Sequence, residues 1–204
     1  MTVSIVDYGM GNIGSVVRAI KACGFESSIA STAEDIMQAD KLILPGVGSY
    51  TRAMQELRSR GLVDAIVESA SVDDIPVLGI CLGMQILSTL GHEHGETKGL
   101  NLIPGEIVRL SPNDKRSRVP HVGWNTVSSV CKSPLFEGVP DESDFYFVHS
   151  YHYVVEDKNH ILAYSEHGGD FVCAVQKGNV FGTQFHPEKS QKLGLGLLKN
   201  FLEL

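Results

Sequence analysis

The N-terminal half of the chain repeats one pattern, in which a short apolar segment with strand character leads through a turn into a segment with helical periodicity. The strand-like segments are TVSIVDY, FESSIA, KLILPG and IPVLGI, and the helical ones include SVVRAIKAC and YTRAMQELRSR. Ser49 precedes one helix, and Thr32 with Asp35 forms a capping-box pattern at the start of another. Gly24 and Gly61 occupy the C′ positions where helices end. Repeated β-α units of this length predict a parallel sheet covered by helices.

The second half of the chain consists of short strand-like runs joined by tight turns such as HGGD and KGN. The runs lie near 103–110, 119–128, 145–155, 161–165, 171–177 and 180–185, and a helical segment, KLGLGLLKNFLEL, follows them. Runs and turns of this kind indicate antiparallel hairpins. We therefore predict an α/β fold with a mixed, mostly parallel central sheet, flanking helices and an antiparallel β extension, within a single domain over residues 1–204.

Composition excludes several classes of protein. The formal net charge of −7 at pH 7 argues against non-specific binding to nucleic acid or anionic membranes, which repel a net-acidic protein. The N-terminus lacks the pattern of a signal peptide, and no apolar run approaches membrane-spanning length, so a cytoplasmic location is expected. Free thiols are predicted because no C-x-x-C spacing occurs among the cysteines, Cys23, Cys81, Cys131 and Cys173.

The turn after the first strand, GMGNIG, has the form of a dinucleotide-binding fingerprint through Gly9, Gly11 and Gly14. That fingerprint also requires an acidic residue at the end of the second strand, where it binds the ribose. Here the second strand leads into Ser31 and Thr32, and the next acids belong to the following helix. A structural role in a tight strand-to-helix turn explains these glycines at least as well as cofactor binding does.

Residues 79–85, GICLGMQ, place a cysteine between two glycines where an apolar strand meets MQILSTL, a run with helical spacing. In this context G-x-C-x-G has the form of a nucleophile elbow, a strained turn that lifts a reactive side chain above the sheet. Backbone amides at the start of the helix favour the thiolate, which is the reactive form of cysteine. The pattern therefore predicts Cys81 as a nucleophile.

A second segment, QFHPEKS at 184–190, supplies the groups that a cysteine nucleophile requires. Proline disfavours helical backbone in the residue before it, so His186 is expected to be extended and to face the same side as Glu188. The imidazole can then exchange a proton while the carboxylate orients it. The loop LPGVGS at 44–49 ends a strand on the same edge of the sheet, where a backbone amide could stabilise an oxyanion.

These three segments together resemble the class I, or triad, glutamine amidotransferases, and the similarity extends over essentially the whole chain. DYGMGN at the start, PHVGWN at 120–125 and YFVHSY at 146–151 narrow the resemblance to the glutaminase subunits of imidazole glycerol phosphate synthase. The PGPG and GGES loop strings of the anthranilate synthase and pyridoxal phosphate synthase branches do not occur.

The resemblance implies the flavodoxin-like class I glutamine amidotransferase fold and hydrolysis of L-glutamine to glutamate and ammonia. The ammonia would pass to a (β/α)8-barrel cyclase subunit, within a heterodimer that forms imidazole glycerol phosphate and AICAR in histidine biosynthesis. No metal or organic cofactor is implied. His92 and His94 in GHEHGE are close enough in sequence to suggest a metal, but a solvated loop is the preferred interpretation.

Residue by residue, the resemblance implies that Cys81 is the nucleophile, His186 the base and acid, and Glu188 its orienting carboxylate. The oxyanion hole is expected to include the amide of Leu82 and an amide of the loop, from Val47 or Gly48. The implied glutamine-binding residues are Gly46, Gln85, His149, Ser150 and Tyr151. The implied partner-interface residues are Asn12, Trp124 and Asn125.

The two glycines that bracket Val47 suggest a switch, because glycine accepts backbone angles that other residues avoid. In one orientation the peptide presents an N–H to the oxyanion site, whereas in the other it presents a carbonyl, which would repel the developing charge. We therefore hypothesise that the isolated chain is nearly idle and that its partner activates it.

Three alternatives remain open at this point. A paralogous glutaminase could supply ammonia to another synthase, for example one that amidates a surface-polysaccharide sugar. A dinucleotide-binding protein would use the glycines of GMGNIG. A non-catalytic interaction module would use neither site for chemistry.

Overall fold

The computed structural model describes residues 2–72, 74–114 and 116–204. Its strands are β1 (Val3–Val6), β2 (Ser27–Ala30), β3 (Lys41–Gly46), β4 (Val77–Cys81), β5 (Leu90–Gly91), β6 (Thr97–Lys98), β7 (Gly105–Arg109), β8 (His121–Ser129), β9 (Ser143–His149), β10 (Tyr151–Val155), β11 (Ile161–Glu166), β12 (Asp170–Lys177) and β13 (Val180–Thr183). Its α-helices are α1 (Ile13–Ala22), α2 (Ala33–Met37), α3 (Tyr50–Ser59), α4 (Val63–Ser71), α5 (Leu82–Gln85) and α6 (Gln191–Glu203).

The strands form a mixed sheet, as predicted. Strands β2, β1, β3, β4 and β13 lie side by side and are parallel. Beyond β13 the pairing becomes antiparallel through β12, β10 and β7, and β11, β8 and β9 continue from β12 as a branch. The α/β fold with an antiparallel extension is therefore confirmed.

The helix-end signals in the sequence have their expected contacts. Thr32 and Asp35 form a reciprocal capping box at α2, and Ser49 accepts a hydrogen bond from an amide of α3. Gly24 and Gly61 have φ values of 87° and 67°, the left-handed backbone that suits a C′ glycine. These short polar residues and glycines fix where each helix begins and ends.

The run MQILSTL was expected to be a helix, and this prediction is wrong beyond Gln85. Helix α5 ends at Gln85, because the carbonyls of Ile86, Leu87 and Ser88 accept hydrogen bonds from amides at 100–103 instead of from a continuing helix. A run predicted as one strand, 145–155, is two strands that meet at Ser150, since β9 pairs with β8 whereas β10 pairs with β7. Helix α4 was not predicted.

Two buried clusters cover the two faces of the sheet. Side chains alternate along β3, so that Leu42 and Leu44 join one cluster and Ile43 joins the other. The second cluster also contains Phe145, Phe147, Phe181, Phe185 and Phe201. This packing fixes the carboxyl ends of β3, β4 and β13, where the predicted catalytic segments meet. None of the helices in the described part of the chain is both long and apolar enough to cross a membrane.

Candidate active site

Cys81 lies at a strained turn between β4 and α5, with φ 56° and ψ −108°. A side chain at Gly83 would place its Cβ 1.7 Å from the carbonyl oxygen of Leu44, and one at Gly79 would lie 2.6 Å from the carbonyl oxygen of Gly83. Only glycine fits at either position, because real Cβ atoms do not approach other atoms so closely. The two glycines therefore permit the sharp turn that presents Cys81 at the end of its strand.

His186 and Glu188 form a buried pair beside Cys81. The imidazole Nδ1 lies 2.8 Å from Glu188 Oε1, and each side chain is about 3% exposed. His186 is extended, as predicted, whereas Glu188 belongs to a short 3-10 turn over 187–189 that brings its carboxylate to the ring. Since the carboxylate accepts the Nδ1 proton, the other ring nitrogen is left for the reaction; it has no hydrogen-bond partner among the described residues.

The electrostatics of this pair favour a charged imidazole. Burial by itself lowers the pKa of His186, but interactions with Cys81 and Glu188 outweigh burial and raise the pKa to about 9. At neutral pH the ring can therefore carry its proton next to the sulfur. An imidazolium in contact with a cysteine favours the thiolate.

A pocket of about 260 Å³ opens above the sulfur. Predicted residues line most of it: Val47, Gly48, Cys81, Leu82, Gln85, His149, Ser150, Tyr151 and His186. Gly46 lies beneath the pocket wall, where an added Cβ would be 2.5 Å from the hydroxyl of Tyr8 and 2.8 Å from Leu82 Cβ. The structure thus brings together segments from four distant parts of the sequence around one sulfur.

The amides of the expected oxyanion hole are only partly in place. Leu82 is the first residue of α5, so its N–H has no acceptor within the helix. The N–H of Val47, however, donates to the carbonyl of Met10 at 2.7 Å and is therefore not available to an oxyanion. Met10 belongs to the GMGN turn, and an added Cβ on Gly11 would lie 3.0 Å from Pro45 Cγ. The glycines of this turn allow close packing against the loop at 44–49.

His149 lines the pocket, but both of its ring nitrogens are occupied. Nδ1 lies 2.9 Å from the carbonyl oxygen of Tyr151, and Nε2 lies 2.9 Å from His121 Nδ1. Burial lowers the pKa of His149 to about 3 and that of His121 to about 4, so both rings are neutral at physiological pH. The ring of His149 therefore holds the backbone at Tyr151, rather than offering a free nitrogen to a substrate.

The side-chain amide nitrogen of Gln85 is also occupied by hydrogen bonds within the protein. Its Nε2 donates to the carbonyl of Tyr151 at 3.0 Å and to Gln184 Oε1 at 2.9 Å. Among the described residues no hydrogen bond engages Gln85 Oε1, so this oxygen remains as an acceptor for a ligand in the pocket.

Glu93 also lines the pocket, and sequence analysis missed it. Its side chain is 16% exposed, and its Oε2 accepts the N–H of Tyr50 at 2.6 Å. GHEHGE was interpreted as a solvated loop because no local pattern links Glu93 to a helix 43 residues earlier. Of the two histidines in this loop, His92 pairs with Glu106 at 2.9 Å and His94 is exposed.

The predicted interface residues lie outside the pocket. Asn12 caps α1 and is exposed, and Trp124 is 49% exposed on the outer face of β8, where its ring contacts that of Tyr146. The side chain of Asn125 points to the opposite face of β8, and its amide contacts His121 Nε2 and the carbonyl of Glu166. Adjacent strand residues face opposite sides, so Trp124 and Asn125 do not share one surface.

Comparison with known families agrees with this geometry. Residues 4–204 match the family described as Glutamine amidotransferase class-I. Solved structures with the same fold include a glutamine amidotransferase (TM-score 0.76, 21% identity, covering 98% of this chain and 97% of that one). Another is PurLQS from Thermotoga maritima (TM-score 0.76, 20% identity, covering 99% and 97%). The chain belongs to the class I glutamine amidotransferase family.

Curated relatives place the chain more narrowly within this family. An imidazole glycerol phosphate synthase subunit HisH 2 of Pseudomonas aeruginosa is 48% identical over 98% of both chains. Subunit HisH 1 of Campylobacter jejuni is 44% identical over 99% of this chain and 100% of the relative. Subunit HisH of Moorella thermoacetica is 46% identical over 99% and 94%.

Proposed function

We propose that this protein is the glutaminase subunit of an imidazole glycerol phosphate synthase and that it works in the cytoplasm. The observation that carries the proposal is the placement of Cys81 beside the His186–Glu188 pair at the base of a pocket. Full-length identity to HisH subunits supports the choice of synthase. The proposed partner is a (β/α)8-barrel cyclase, which receives the ammonia within a heterodimer and uses it to form imidazole glycerol phosphate and AICAR.

The reaction begins with attack of the Cys81 thiolate on the side-chain amide carbon of L-glutamine. The C–S bond forms as the C=O π electrons move to oxygen, and the N–H of Leu82 donates to that oxyanion. His186 gives its proton to the amide nitrogen, so the C–N bond breaks and ammonia leaves. Water then attacks the thioester, with His186 accepting its proton, and glutamate is released with the free thiolate.

The remaining groups of the pocket fit the amino-acid part of glutamine. We assign the α-ammonium group of the substrate to Glu93, the acidic side chain that faces the pocket from the loop between β5 and β6. Gln85 Oε1 provides a second acceptor. The backbone at Ser150 and Tyr151, held by His149, forms the wall on the other side.

This assignment predicts that Glu93→Gln raises the KM for glutamine by about 10–100-fold, the effect of losing a hydrogen bond to a charged group. The kcat should change little, since the interaction is present in both ground and transition states. The side chain introduced by Glu93→Gln retains an oxygen that can accept the N–H of Tyr50. Glu96→Gln, on the same loop but exposed and outside this pocket, is the matched control. Equal KM values for the two variants would remove Glu93 from the substrate site.

Because the Val47 N–H is bound to Met10 O, we predict that the cyclase increases glutaminase turnover by changing the orientation of this loop. In this orientation the loop supplies no Val47 donor to the oxyanion, and loss of one such donor slows catalysis by as much as about 10²–10³-fold. Glutamate release should therefore be slowest for the isolated chain and fastest with the cyclase and its acceptor substrate bound.

The measurement compares glutamate release by the chain alone, with the cyclase, and with the cyclase plus acceptor. Cys81→Ser in each mixture provides the blank. Equal turnover in all three mixtures would contradict the loop switch, whereas no turnover in any of them would contradict the proposed function itself.

A further inference from the structure

Gln184 is buried completely between the two parts of the catalytic apparatus, although the mechanism above gives it no role. It follows β13 and precedes His186 by two residues. Its Nε2 lies 3.6 Å from Cys81 Sγ, within the range of a hydrogen bond to sulfur, and its Oε1 lies 2.9 Å from Gln85 Nε2. Gln184 thus connects the nucleophile directly to a residue of the substrate pocket.

The direction of these hydrogen bonds is fixed from one end. A backbone carbonyl can only accept, so the Gln85 atom that faces Tyr151 O must be the amide nitrogen. The same nitrogen faces Gln184, which must therefore present its oxygen to Gln85. The nitrogen of Gln184 is then left facing Cys81, and the sulfur receives a donor. The Nδ1–H of His149 donates to the same carbonyl, which thus accepts from two donors.

Besides His186, the sulfur has two polar neighbours, Val148 and Gln184, that favour different protonation states. The carbonyl of Val148, at 3.7 Å from Sγ, accepts a hydrogen bond from the S–H of a thiol but repels a thiolate. The amide of Gln184 stabilises a thiolate, and hydrogen bonds to a charged group are stronger than those to a neutral one. The Gln184 donor therefore opposes the effect of the Val148 carbonyl.

We propose that Gln184 is a positioning residue for the nucleophile: it donates a hydrogen bond to the Cys81 sulfur, orients it and favours its thiolate form. The direction of that bond is imposed by the Tyr151 carbonyl through Gln85. This inference rests on the proposed function only in taking Cys81 as the nucleophile, and it adds a residue that acts through Cys81 rather than on the substrate.

The test is the pH profile of Cys81 alkylation by iodoacetamide in the full chain, followed by the mass of the peptide that contains Cys81. In Gln184→Met the midpoint should rise by about one pH unit, the effect of losing one hydrogen bond to a charged group. The plateau rate at high pH should increase about threefold, because a more basic thiolate is a better nucleophile. A purely structural role would not produce this combination.

The same titratable groups surround the sulfur in the wild type and in Gln184→Met. The difference between their pH profiles therefore reports the effect of the Gln184 side chain. These groups are Tyr8, Glu93, His149, Tyr151, His186 and, behind the imidazole, Glu188. The midpoint belongs to the coupled pair of Cys81 and His186. Gln176→Met, on neighbouring β12, makes the same substitution at a site where the amide contacts Ser133 and Gly178, and its profile should match that of the wild type.

An unchanged or lowered midpoint in Gln184→Met would overturn the proposal. A raised midpoint with a reduced plateau would overturn it too, because that result indicates a displaced sulfur. Gln184→Glu, which keeps an acceptor for Gln85 but offers no amide donor, should raise the midpoint further.

A measurement on the wild-type chain covers the case in which these variants do not fold. The side-chain amide resonance of Gln184 should shift with the same midpoint as alkylation, and a constant resonance would contradict the hydrogen bond. Neither readout requires glutaminase activity, so failure here leaves the test of the proposed function separate.

Discussion

Cys81→Ser abolishes glutamine-dependent synthesis by the complex while synthesis from added ammonium salt at high pH survives. Serine keeps the size and the elbow geometry, but its hydroxyl remains protonated where the thiol of cysteine ionises. Without a covalent thioester no ammonia is released from glutamine. The partner's own reaction does not use Cys81, so free ammonia at high pH bypasses the defect. The measurement is product formation from glutamine and from ammonium chloride with the same preparation.

Cys131→Ser is the matched control, since Cys131 is exposed and lies outside the pocket. It should retain both reactions at wild-type rates. Normal use of glutamine by Cys81→Ser would show that the nucleophile has been assigned wrongly, and loss of the ammonium-dependent reaction would point to damage beyond this site.

His186→Ala should decrease glutaminase turnover by roughly 10²–10⁴-fold, because the proton needed for departure of ammonia has no other donor in the proposed mechanism. Glu188→Gln should have a smaller effect. In the native protein Glu188 Oε1 lies 2.8 Å from His186 Nδ1. The amide side chain in Glu188→Gln keeps an oxygen that can accept the Nδ1–H, so the imidazole ring stays oriented. What is lost is the negative charge that helps to raise the pKa of His186.

Both variants are measured with the cyclase and its acceptor present, so that the loop switch does not limit the rate. His160→Ala, in the turn before β11, provides a histidine control outside the pocket. If Glu188→Gln were slower than His186→Ala, the two roles would be reversed. Wild-type turnover in His186→Ala would show that His186 does not transfer the proton.

The parts of the fold that depend on local pattern could be predicted from the sequence. Strand β3 has the predicted boundaries, because KLILPG is apolar and ends in a glycine. The capping box at Thr32 and the C′ glycines determine helix ends through contacts within a few residues. The early end of helix α5 could not be predicted, because the N–H of Leu100, far along the sequence, donates to the carbonyl of Ile86 in place of a continuing helix.

The site shows the same division. GICLGMQ and QFHPEKS are local motifs, and Cys81, His186 and Glu188 meet in the structure as the motifs imply. Gln184, by contrast, contacts Cys81 across 103 residues of sequence, and His121 contacts His149 across 28. No periodicity encodes such pairs. The orientation of Asn125 could have been predicted, however, because side chains alternate along a strand and Asn125 therefore faces away from Trp124.

The strength of the hydrogen bond from Val47 N–H to Met10 O also limits how far the glutaminase rate of the isolated chain can be suppressed. One backbone hydrogen bond contributes about 1 kcal/mol net, which corresponds to roughly five resting molecules for each rotated one. A hundredfold suppression requires about 2.7 kcal/mol, so this bond alone leaves an appreciable basal leak. The factor by which the partner increases turnover is therefore a measure of the equilibrium between the two loop orientations. With one molecule in about six already rotated, any factor above about six reports free energy stored in contacts other than this one bond.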